Sequence, residues 1–133
     1  MDKPTRPVLA ALALAAAATA SMPAVPAFAR GGADRALHTG SCSISAVWKL
    51  KVKGDNGRLE VEGEVDSNRR GQSWAWRIKH NGAVTARGVA QTAGPSGSFS
   101  VERRLVNLSG TDRVVFRAVR SKTGEVCRGV VDF

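Results

Sequence analysis

The chain has 133 residues, with 20 Lys+Arg against 11 Asp+Glu and a net charge of +9. This length suits one small domain, and the chain has two histidines and two cysteines. A balance this positive favours anionic partners, although it carries no information about the fold.

Residues 1–29 have the pattern of a secretory signal peptide with a helical apolar segment. Lys3 and Arg6 precede an apolar run over 8–20, and the small-residue triplet Ala27-Phe28-Ala29 follows it. The run of 13 residues is too short to span a membrane, which takes about 20. We therefore expect cleavage after Ala29 and a secreted, extracellular mature chain without a transmembrane segment.

The mature chain is predicted to fold as one all-β domain. Cleavage leaves 18 basic against 10 acidic side chains and a net charge of +8. We expect residues 30–41 to be a flexible lead and residues 42–133 to be a β-sandwich, because turn signals recur about every dozen residues between alternating apolar and polar runs. Seven strands are predicted, at 44–53, 58–66, 73–80, 83–90, 97–106, 112–120 and 125–132.

The two cysteines, Cys42 and Cys127, lie near the two ends of the predicted domain. Export to an oxidising compartment predicts a disulfide between them. Closing so long a loop should stabilise the fold by about 4 to 5 kcal/mol in the chain-entropy model. A reactive thiol or a metal ligand is the alternative, but no third ligand stands at a suitable spacing. No metal and no cofactor are therefore expected.

The first hairpin is predicted from the charges on its outer face. A two-residue turn at Asn56-Gly57 would place a lysine of one strand opposite each glutamate of the next. The expected pairs are Lys49 with Glu64, Lys51 with Glu62, and Lys53 with Glu60. The three glutamates could be a catalytic or metal-binding cluster, but a lysine opposite each one favours a solvated face.

Trp74 and Trp76 stand on one face of the third predicted strand. A plain two-residue turn would set Trp76 opposite Arg87. A three-residue turn with a bulge would instead pair Trp76 with Ala86, Ile78 with Val84 and Trp74 with Gly88. Large residues would then cover small ones on one face. The second arrangement predicts that the tryptophans are core. The predicted core residues are Trp48, Trp74, Trp76 and Phe116.

The last hairpin also predicts one core face and one outer face. A four-residue loop over 121–124 pairs Val114 with Val131, Phe116 with Gly129, and Ala118 with Cys127. The opposite face combines basic and aliphatic side chains, opposed there only by Asp132, and suits an anionic polymer or an acidic protein. A solvated basic face without a ligand is the alternative. The candidate binding face comprises Arg77, Lys79, Arg87, Arg113, Val115, Arg117, Val119, Arg128 and Val130.

Seven strands with tryptophans on the third resemble immunoglobulin-like and fibronectin type III domains, and "LSGTDRVVFRAV" is similar to the turn and strand before the last hairpin of the latter. The chain departs from these domains because it has no tyrosine and carries its cysteines on the first and last predicted strands. The stretches "EVDSNRRGQSWAWRIKHNG" and "GEVCRG" resemble small secreted actinobacterial proteins of unknown function. That resemblance implies export and a sandwich, but no activity.

Catalysis is not expected, because no nucleophile-elbow or zinc-protease motif is present and the two histidines, His38 and His80, fall in the lead and in a turn. No motif for specific nucleic-acid binding is present either. We expect a non-catalytic binding or structural module at the cell envelope, with an anionic cell-wall polymer or an acidic protein as partner. The alternative is a carbohydrate-binding module that recognises a neutral polysaccharide through exposed tryptophans, a class similar in length and in having a cysteine near each end.

Overall fold

Eight antiparallel strands make up most of residues 34–133, the part of the chain that this computed structural model describes. The predicted signal peptide and its cleavage site after Ala29 lie outside the described residues. The strands are β1 (Arg35–Ser41), β2 (Val47–Asp55), β3 (Arg58–Asp66), β4 (Ser73–His80), β5 (Ala83–Gln91), β6 (Ser98–Val106), β7 (Arg113–Arg120) and β8 (Val126–Asp132).

The strands form two four-stranded sheets, with the orders β1-β2-β3-β6 and β5-β4-β7-β8. Side chains alternate between the two faces of each sheet, so one face of each is buried against the other. Leu50, Val52 and Val61 contribute from the first sheet, and Trp74, Ile78 and Phe116 contribute from the second. The predicted all-β sandwich is therefore confirmed, whereas the predicted count of seven strands is one too low.

The missing strand is β1, because residues 35–41 were expected to belong to a flexible lead. They pair with β2 along their whole length, from Arg35 opposite Lys53 to Ser41 opposite Val47. Gly40 interrupts the apolar alternation of this strand, because Trp48 leaves no room for a side chain there. An ideal Cβ on Gly40 would lie 2.6 Å from Cζ2 of Trp48, so the ring occupies the space of a side chain.

The first hairpin has the predicted register. Lys49, Lys51 and Lys53 stand opposite Glu64, Glu62 and Glu60, respectively. Asn56 and Gly57 both adopt positive φ, at 49° and 76°, as a two-residue hairpin turn of this type requires. The hairpin begins at Val47 rather than at residue 44, because the preceding residues form a loop.

The second hairpin, β4–β5, has neither of the registers considered from the sequence. Asn81 and Gly82 form a two-residue turn, and a bulge at Thr85 shifts the register between Ile78 and Lys79. The Thr85 hydroxyl donates a hydrogen bond to the Ile78 carbonyl at 3.2 Å, which holds the bulge. The partners of the tryptophans therefore lie two residues beyond the predicted ones: Trp74 faces Ala90, Trp76 faces Gly88, and Ile78 faces Ala86.

The last hairpin and the disulfide follow the predictions. Phe116 stands opposite Gly129 and Ala118 opposite Cys127. Cys42 and Cys127 form a disulfide with an S–S length of 2.03 Å and a Cα–Cα distance of 4.3 Å. Cys42 directly follows β1 of one sheet and Cys127 lies in β8 of the other, so the bond links the two layers of the sandwich.

Candidate functional site

All nine residues of the candidate binding face lie on the outer face of the β5-β4-β7-β8 sheet. Strand alternation puts them there, because Trp76, Ile78 and Phe116 between them point into the core. Arg77, Arg87, Arg113 and Arg128 are exposed, whereas the other five are half-buried: Lys79, Val115, Arg117, Val119 and Val130.

Four arginines of this face form one line across all four strands. Arg87 stands opposite Arg77, Arg77 opposite Arg117, and Arg117 opposite Arg128. We call these four residues the arginine row. Adjacent strands lie about 4.8 Å apart, so the row extends over about 14 Å.

The charges of the arginine row have no counterpart within residues 34–133. The ion pairs found there join Lys51 to Glu62, His80 to Asp112, Arg104 to Asp55 and Arg113 to Asp132, and none involves the row. Like charges directly opposite each other destabilise a sheet. Local violations of this kind are typical of functional sites, where binding rather than folding determines the residue.

Apolar side chains flank the arginine row on both sides. On one side Ala75 lies between Val89 and Val119 in register, and Val119 stands opposite Val126. On the other side Val115 stands opposite Lys79 and Val130. The outer face is therefore striped, with a basic line between two largely apolar ones.

A surface groove of about 540 Å³ lies on the β5, β4 and β7 part of this face. Its apolar lining includes Ala75, Val84, Val89 and Val119, and its basic lining comprises Arg77, Arg87 and Arg117. Val89 is 70% exposed, the highest value among the large apolar side chains described as exposed. Ala75 has the smallest of these side chains, and it lies in register between Val89 and Val119.

Arg113 differs from the arginine row because it is already paired. Its Nε and Nη2 donate hydrogen bonds to the two carboxylate oxygens of Asp132, at 2.8 and 3.0 Å. This contact raises the pKa of Arg113 and lowers the pKa of the Asp132 carboxyl. Asp132 thus neutralises one end of the face and leaves the row unopposed.

The outer face of the other sheet carries the glutamates of the first hairpin. Lys51 and Glu62 form an ion pair at 2.8 Å. A hydrogen bond between the Glu60 and Glu102 side chains raises the pKa of Glu102 and lowers that of Glu60. Glu102 joins this cluster from β6, where it stands opposite Glu62, a neighbour that the sequence alone did not indicate. Within residues 34–133, no three His, Cys, Asp or Glu side chains are grouped as metal ligands.

Two buried acidic residues that the sequence did not single out have structural roles. Oε2 of Glu125, which is 4% exposed, accepts hydrogen bonds from the backbone N–H groups of Ile44, Ser45 and Ala46 at 2.7 to 3.1 Å. Asp112, which is 1% exposed, accepts a hydrogen bond at 2.6 Å from Nε2 of His80. Both pairs join segments distant in sequence, so no local pattern could have revealed them.

The three tryptophans pack in or against the core and do not belong to the candidate binding face. Trp74 is fully buried, and Trp76 is 6% exposed with the Arg103 guanidinium 5.0 Å from its ring centroid. Trp48 is half-buried and packs between Gly40 and Gly129. A sugar-binding platform needs an indole face open to solvent, and Trp74 and Trp76 do not offer one.

In the part of the chain that the structure describes, no helix is long and apolar enough to cross a membrane. Comparison of the chain with protein-family models, with curated proteins and with solved structures finds no match.

Proposed function

We propose that this protein is a secreted, non-catalytic binding module that acts at the cell envelope and holds an anionic polymer on the outer face of its β5-β4-β7-β8 sheet. The arginine row is the observation that carries this proposal. Arginine presents a planar fork of donors that matches phosphate and carboxylate groups in pairs. Four such groups in a line of about 14 Å suit a ligand that repeats its anionic groups along one direction.

The order of the strands in the two sheets supports a more specific proposal about the fold. Without β1, the remaining seven strands are arranged as β2-β3-β6 against β5-β4-β7-β8. The fourth of these seven, β5, pairs with the third, β4, whereas in an immunoglobulin constant domain the fourth strand joins the other sheet. We therefore propose a fibronectin type III-like sandwich extended by an N-terminal edge strand. The disulfide is compatible with an extracellular location.

Binding of the mature domain to purified envelope polymers tests the proposal. We expect binding to anionic polymers at low salt, weakened at high salt because the contacts are screened. Replacing Arg77, Arg87 and Arg117 with Gln should weaken that binding about tenfold or more, since each change removes a charged hydrogen bond.

A matched variant controls for net charge. Lys49, Lys53 and Arg58 are exposed basic residues of the other sheet, and replacing these three with Gln removes the same charge. If both triple variants lose binding equally, net charge is sufficient and the arginine row is not the site. If the protein binds only neutral glycans, the proposal is wrong and the carbohydrate-binding alternative replaces it.

A further inference from the structure

The arginine row alone does not account for the apolar lining of the groove. A purely ionic ligand needs no apolar contact, yet Val84 and Val89, on opposite sides of the row, are 49% and 70% exposed and both line the groove. Ala75 lies between Val89 and Val119. The two valines form the sides of an apolar channel over Ala75, which is one side chain wide and begins beside the arginine row.

We propose that the groove binds a single-chain anionic amphiphile, such as an alkyl phosphate, as a monomer. Its head group would lie against Arg77, Arg87 and Arg117, and its apolar chain would lie over Ala75 between the two valines. The inference rests on the proposed function, because the arginines that would hold the anionic groups of a polymer would also hold this head group, so the two ligands would compete for the same site. It adds a requirement that the proposed function lacks, which is an apolar part in the ligand.

Size and charge both fit such a ligand. The groove volume of about 540 Å³ lies within the usual range for small-molecule sites, about 300 to 1,000 Å³. The basic side chains stand at one end of the apolar channel, as an amphiphile with one charged end requires. No carboxylate among residues 34–133 is paired with these three arginines, so their donors are available to a head group.

The stripes argue against a membrane surface as the occupant. A protein face that enters a bilayer presents apolar side chains outermost, with basic groups around them. Here the arginine row runs through the middle of the face, and arginine side chains project further than the valines beside them. A single molecule can lie between such side chains, whereas a flat bilayer would meet the guanidinium groups first.

Calorimetry with butyl, hexyl, octyl and decyl phosphate below their micelle concentrations tests the inference. Burying a methylene completely is equivalent to about a fourfold gain in affinity. The groove covers only one side of the chain, so we expect about a twofold gain for each added methylene. Inorganic phosphate should bind weakest.

Two variants test the apolar channel without changing charge. Val89→Thr keeps the shape and branching of the side chain but replaces a methyl with a hydroxyl, and Ala75→Gln fills the channel. Each should flatten the dependence of affinity on chain length. Val106→Thr is the matched control, because Val106 is an exposed valine on β6 of the other sheet and should leave the series unchanged.

Linear inorganic polyphosphate separates this inference from the proposed function. If polyphosphate binds and the alkyl phosphates show no chain-length dependence, the amphiphile inference is wrong while the proposed function stands. If neither polyphosphate nor any alkyl phosphate binds, both are wrong. Binding only to phosphatidylglycerol vesicles would assign the face to a membrane and overturn the inference.

Discussion

Trp48 of β2 packs against two glycines, Gly40 on β1 of its own sheet and Gly129 on β8 of the facing sheet. An ideal Cβ on Gly129 would lie 2.5 Å from Cζ3 of the indole, and one on Gly40 would lie 2.6 Å from Cζ2. Both atoms belong to a rigid ring, so neither contact could be relieved by rotating a flexible end. The two glycines therefore let one half-buried tryptophan fill the space between β1 and β8.

We predict that Gly129→Ala lowers the free energy of unfolding by about 1 to 3 kcal/mol, as other overpacked substitutions do. Chemical denaturation monitored by tryptophan fluorescence measures the change. Gly54→Ala is the control, because an ideal Cβ there would lie 3.7 Å from the Phe133 ring, an ordinary contact. Equal stability of the two variants would show that the Trp48 ring does not need the glycine.

At the scale of strands, register decides which charges meet. The first hairpin pairs lysine with glutamate across β2 and β3, whereas β4 pairs arginine with arginine on both of its sides. Opposite charges stabilise such pairs and like charges destabilise them, by about 0.2 to 1 kcal/mol each. The β2–β3 hairpin and the arginine row thus follow opposite charge rules.

Arg77→Thr should therefore stabilise the fold at low salt. Arg77 stands between Arg87 and Arg117, so its removal relieves two like-charge pairs, and we expect a gain of about 0.5 to 1 kcal/mol in the free energy of unfolding. The gain should shrink at 1 M salt, where the Debye length is about 3 Å. Lys53→Thr, which removes a lysine opposite Glu60, should give no gain. A loss of stability for Arg77→Thr at low salt would contradict this account.

For the whole molecule, the disulfide and Glu125 hold the two sheets together at one end. Cys42 immediately precedes the loop whose backbone N–H groups bind the Glu125 carboxylate, and Cys127 follows Glu125 by two residues. The covalent and the hydrogen-bonded link therefore join the same pair of segments.

Replacing both cysteines with serine should lower the free energy of unfolding by about 4 kcal/mol, because the bond closes a long loop in the unfolded chain. Denaturant titrations with and without reductant measure the effect. Reductant should bring the wild-type protein to the stability of the variant and leave the variant unchanged. Two alkylated cysteines in the intact mass of the protein purified without reductant would contradict the bond.

The sequence by itself determined the β class, the disulfide and the face on which each side chain of most strands lies. Alternation along a strand is a local property with a period of two residues. The predicted β4–β5 register was wrong by two residues. A shift of two residues keeps each side chain on the same face of the sheet, so Trp74 and Trp76 still lie on the predicted face. The Asn56-Gly57 turn is equally local, since both residues tolerate positive φ.

Only the tertiary structure decided which strands are neighbours and what their side chains meet. Arg77 and Arg117 come from strands that are not consecutive in the chain, so nothing near either residue indicates that they stand side by side. β1 became a strand because β2 offers it a partner edge and Trp48 fills the space above Gly40. The pairing of non-consecutive strands and the partners of the buried carboxylates depend on contacts between distant segments, and those contacts form only when the chain adopts its tertiary structure.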